Sequence, residues 1–96
     1  MSDRKAYEQK LRAKLDELQA EMDKLKARAK GAEADKRIEH EQEVDQLEQK
    51  RENMRQKLDE LRDSSDDAWD DIKAGAERAW GSLNDSLEKA RSRFNK

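Results

Sequence analysis

The sequence predicts an all-α protein, and three observations lead there. The chain has no proline and only three glycines, so little interrupts a backbone rich in Ala, Leu, Glu, Lys, Arg and Gln. Its apolar residues recur at alternating steps of three and four, the spacing of a narrow stripe along a helix. Charged residues make up 48% of the chain against 32% hydrophobic, too little apolar surface for a broad globular core but enough for narrow seams between helices.

The first seam runs through Leu11, Leu15, Leu18, Met22, Leu25, Ala29 and Ala32 without a polar interruption. Leu15, Met22 and Ala29 take heptad position a and the others position d, a two-in-seven stripe that reads as a coiled-coil seam. A second seam runs through Val44, Leu47, Arg51, Met54, Leu58 and Leu61, displaced by one residue from the first, so a skip lies between Ala32 and Val44. Gly31 marks one place where the chain could turn, with Asp35 as the next N-cap. Ala29, Ala32, Glu33 and Ala34 are strong helix formers, however, and one internal glycine costs only about 1 kcal/mol. The reading favours a continuous helix over about residues 4–62 with a local change of winding. A turn near Gly31, giving an antiparallel three-helix bundle, is the alternative.

The next break is better marked. RDSSDD offers Ser64 or Ser65 as N-cap, followed by Asp66, Asp67, Asp70 and Asp71, while Lys89, Arg91, Arg93 and Lys96 gather at the far end. Acid at the start and base at the finish complements a helix macrodipole. Residues 65–95 therefore read as a separate helix, dividing the chain into a heptad portion (1–63) and an amphipathic portion (64–96) of one structural unit.

That last helix carries an internal repeat: WDDIKAGAERA aligns with WGSLNDSLEKA, then RSRF begins a third copy. Eleven residues make three turns at about 3.67 residues each, so Trp69, Ile72, Ala76, Trp80, Leu83, Leu87 and Phe94 share one face with little drift. Removing one indole from water contributes roughly 4 to 6 kcal/mol before entropy losses. Such a face calls for a cover: the chain's own first helix, another chain, or a lipid surface. In the continuous-helix arrangement the last helix reaches back only over residues 34–62. The N-terminal seam then pairs with a second chain, so Leu11, Leu15, Leu18, Met22, Leu25, Val44, Leu47, Met54, Leu58 and Leu61 are expected to mediate self-association.

Composition narrows the function. The 22 basic and 24 acidic residues nearly cancel, and Lys24, Lys26, Arg28 and Lys30 are interleaved with seam residues, so no phosphate-tracking stripe for nucleic acid emerges. No cysteine occurs, which fits a reducing compartment, and MSDRKAYEQK begins no apolar run, so a soluble cytoplasmic protein is expected. His40, the single histidine, sits among Glu39, Glu41 and Glu43 on what reads as a solvated helix face, not as a metal site. No nucleophile–base pair or glycine-rich phosphate loop stands out, and the paired carboxylates are accounted for by helix initiation. The expectation is a non-catalytic protein with no cofactor or metal, homo-oligomeric, with protein clients as further partners.

The pattern DAWDDIKAGAERAW followed by SLNDSLEKARSRF, preceded by DKLKARAKGAEAD and KRENMRQKLDELRDSS, resembles that of small bacterial coiled-coil stress-response proteins. The resemblance covers nearly the whole chain and is most specific at the tryptophan-bearing end. It implies an all-helical bacterial cytoplasmic protein with a structural or protective role under stress. Gly81 and Asn84 depart from the regular acidic and basic residues expected on the polar side of the second repeat. The rival reading is a peripheral protein that lays residues 65–96 on a membrane surface, since that helix is amphipathic and ends in basic ARSRFNK.

Overall fold

The computed structural model describes residues 2–94; Met1, and Asn95 and Lys96 at the expected end of the last helix, lie outside them. It is all-α: α1 (Ser2–Gly31), α2 (Ala34–Asp63) and α3 (Asp66–Phe94) follow one another with very short links. The bundle measures 50 × 18 × 17 Å, which matches helices of about 45 Å laid side by side. Ion pairs fix the up-down-up order. Arg12 with Asp59 and Lys26 with Glu48 set α1 against α2 in antiparallel register, while Arg4 with Asp66 and Glu21 with Arg91 set α1 parallel to α3.

The favoured continuous helix over residues 4–62 is not what forms; the chain turns at Ala32 and Glu33. Glu33, not Asp35, is the N-cap of α2, with an extended backbone (φ −60°, ψ 154°) and no side-chain cap hydrogen bond. Burial explains the turn. A continuous helix leaves the N-terminal seam bare in a single chain, whereas the turn brings Leu11, Leu15, Leu18, Met22 and Leu25 into the core. Each such side chain contributes roughly 1.5 to 3 kcal/mol on burial, whereas each backbone hydrogen bond lost at the turn costs about 1 kcal/mol. Five large side chains outweigh one interrupted turn. Ala29, itself buried, lets the two helices close near the link.

The second turn is built as its residues suggest, with the two serines dividing the work. Ser64 closes α2: its backbone N–H and its hydroxyl both donate to the Leu61 carbonyl, at 3.3 and 2.8 Å. Ser65 opens α3, its hydroxyl accepting from the Ala68 N–H at 3.3 Å and its carbonyl from the Trp69 N–H at 3.0 Å. Asp66 and Asp67 occupy the first turn of α3 and Arg91 and Arg93 the last, as the macrodipole favours.

One core runs the length of the bundle. Met22, Leu47, Met54, Leu58, Leu61 and Leu83 are its largest fully buried side chains, and no polar or charged residue among those described is buried with them. α2 is the central element, packing extensively on both neighbours, while α1 and α3 meet over a shorter contact.

Candidate interaction surfaces

The ten residues expected to join two chains, Leu11, Leu15, Leu18, Met22, Leu25, Val44, Leu47, Met54, Leu58 and Leu61, are all buried within one chain. The α1 seam meets α2 and α3 of its own polypeptide, which places this set in the folded core of a single molecule. Arg51, the polar member of the second seam, is half-buried between Leu47 and Met54, with its Nε enclosed and without a hydrogen-bond partner.

The face drawn from the eleven-residue repeat divides by depth. Ala76, Leu83 and Leu87 are buried, and Trp69, Ile72, Trp80 and Phe94 are half-buried. The two tryptophans occupy equivalent repeat positions but meet different surroundings. Trp80 lies in an open cleft of about 300 Å³ between α1 and α3, lined also by Lys14, Leu18, Glu21, Leu87 and Arg91. Trp69 sits one repeat nearer the turn, edge-on to Tyr7 with ring centroids 5.7 Å apart.

Around that aromatic pair the bundle end is clasped by charge. Arg4 lies 5.4 Å from the Trp69 ring centroid, donates to the Ser64 carbonyl at 3.0 Å and pairs with Asp66 at 2.6 Å. Lys73 approaches both rings, 4.8 Å from the centroid of Tyr7 and 5.3 Å from that of Trp69. The Tyr7 hydroxyl donates to Glu77 at 3.0 Å. Burial, reinforced by this carboxylate, pushes the Tyr7 phenol up to about 12. The sequence marked Trp69 but none of the groups that hold it. Tyr7, Lys73 and Glu77 belong to neither seam, Arg4 falls one heptad before Leu11 but is charged, and only the docking of α1 beside α3 brings them together.

At the opposite end the expectation of a solvated His40 is corrected. Its ring stacks on Phe94, with centroids 3.9 Å apart and planes 25° apart, because α3 runs back along α2 to reach it. Glu43, one turn further along α2, pairs with Arg93. These groups border a broad groove of about 1120 Å³ that also takes in Arg28, Gly31, Glu33 and Lys36 at the α1–α2 turn. No group of three or more His, Cys, Asp or Glu side chains among the described residues is placed to hold a metal ion.

The geometry thus defines a three-helix up-down-up bundle whose apolar faces are closed along α2 and only partly closed between α1 and α3. Comparison with protein-family models, with curated proteins and with solved structures finds no match to this chain. No helix among the described residues is long and apolar enough to cross a membrane.

Proposed function

We propose that this chain is a non-catalytic bacterial cytoplasmic protein with a structural or protective role in the stress response, acting through self-association. The observation that carries the reading is the α1–α3 side of the bundle. There the half-buried Trp80, over the buried Leu18 and Leu87, lines an open cleft, and an indole at such a position favours association with a further helix. The mixed charges flanking it, Lys14, Glu17, Glu21 and Arg91, suit a neighbour of equally mixed charge, such as a second copy of this chain, better than a uniformly anionic one. The stress link rests on the resemblance carried by the tryptophan-bearing repeat.

A lipid-surface role is the second reading, and one observation favours it: α3 has a markedly stronger apolar face than α1 or α2 and ends in Arg91 and Arg93. Its buried side chains would have to leave the bundle to reach lipid. Light-scattering mass measured against protein concentration, alongside tryptophan emission measured against anionic liposomes, separates the two. A mass that rises with concentration and an emission indifferent to liposomes support self-association. A constant monomer mass with a blue shift only on adding liposomes supports the lipid reading.

A further inference from the structure

The two turns of the bundle are secured very differently. Ser64, Ser65 and Arg4 hold the α2–α3 turn with side-chain hydrogen bonds. At the α1–α2 turn the Ala32 N–H donates to the Ala29 carbonyl and the Arg37 N–H to the Glu33 carbonyl. Its N-cap Glu33 makes no side-chain cap bond. No residue in it adopts a positive φ, and a Cβ added at Gly31 would meet nothing within 4 Å. Gly31, Ala32, Glu33 and Ala34 have no proline among them, and three of the four are good helix formers. Little in these residues specifies a turn; the burial of the α1 seam against α2 and α3 imposes it.

That burial does not require both helices to belong to one chain. We propose that the α1–α2 turn is a hinge, and that the partner for self-association is a second copy of this chain that exchanges α1. In the exchanged dimer Ala32 and Glu33 become helical, α1 and α2 fuse into one rod of roughly 90 Å, and each α1 packs on the α2 and α3 of its twin. The contacts α1 makes in the monomer are remade between chains, including the antiparallel register marked by Arg12 with Asp59 and Lys26 with Glu48, while α2 and α3 stay packed within each chain. The gain is the helical backbone restored at two hinges; the opposing term is the entropy of association, so the dimer grows with concentration. A link of only two non-helical residues between long helices is a connection that favours such exchange. The heptad seams are then compatible with both states, hairpin and rod. The proposal rests on the self-association reading above and gives it a route through α1, one that leaves the Trp80 cleft as it is in the monomer.

Two hinge variants test it. Ala34→Pro suits the hairpin, because proline is favoured at the first helical position and Glu33 before it is already extended, but it breaks the fused helix. Gly31→Ala favours the rod, where residue 31 lies mid-helix instead of ending α1, by a few-fold in the dimerisation constant across two hinges. Each protein is refolded at high concentration and separated by size, and mass is read by light scattering, length by small-angle scattering and helicity by circular dichroism. The proposal expects an elongated dimer for the parent chain, more for Gly31→Ala, and a helical monomer for Ala34→Pro. Dimerisation of Ala34→Pro to the same extent as the parent, in a compact particle, overturns the hinge while leaving self-association standing. Failure of both the parent and Gly31→Ala to associate overturns both.

Discussion

At the scale of single residues, some side chains stabilise the bundle while others oppose it. Arg51 holds a seam position where its neighbours four before and three after, Leu47 and Met54, are buried, and its enclosed Nε lacks a partner. Sheltering part of a guanidinium from water without a compensating hydrogen bond is unfavourable. Arg51→Leu is therefore expected to raise stability by about 1 kcal/mol in urea denaturation. Tyr7 offers a pH readout, because it is the single tyrosine of the chain. Its neutral form is favoured in the folded protein, with the phenol raised from 10.0 to about 12. The contribution is present below pH 10 and is lost as pH rises through the interval from 10 to about 12. Tyrosinate absorbance should show a midpoint near 12 in the folded chain. In Glu77→Gln the midpoint should fall toward the ordinary value without reaching it, since burial persists; an unchanged midpoint would remove Glu77 from the account.

At the scale of elements, each helix shows what sequence periodicity can and cannot reveal. The seams of α1 and α2, the serine-capped start of α3 and the shared face of its repeat were legible because three-and-four spacing and capping chemistry are local. The turn at Ala32 and Glu33 was legible only as the alternative near Gly31, because its residues favour helix and the force that bends the chain is burial of Leu11 through Leu25 against α2 and α3. The seam expected to join two chains is covered within one by α2 and a folded-back α3. The clasp of Arg4, Tyr7 and Lys73 on Trp69, and the stacking of His40 on Phe94, depend on helix register and had no local signal. Within α3, Gly81 is exposed, has no positive φ and leaves room for a methyl group. Gly81→Ala should accordingly stabilise the bundle by about 0.5 to 1 kcal/mol, seen as a higher melting temperature by circular dichroism. A lower melting temperature would mean that this glycine has a packing role.

At the scale of the whole molecule, a chain that is nearly half charged folds by gathering most of its large apolar residues, Ile38 excepted, into one slender core shared by three helices. Its charge lies on the outside, where pairs such as Arg12–Asp59 and Lys26–Glu48 settle register more than they add stability, since exposed ion pairs contribute about 0 to 1 kcal/mol. Register and burial together make the hairpin self-sufficient when the chain is alone. Association, on this account, reuses the same seams with a twin. Small-angle scattering of the dilute protein, combined with absolute mass, tests that self-sufficiency most directly. The account predicts a monomer of 11.3 kDa whose dimensions are set by a bundle 50 Å long. A dimer that persists at the lowest concentrations, with a rod of roughly 90 Å, would show that the leucine seams need a second chain to be buried at all.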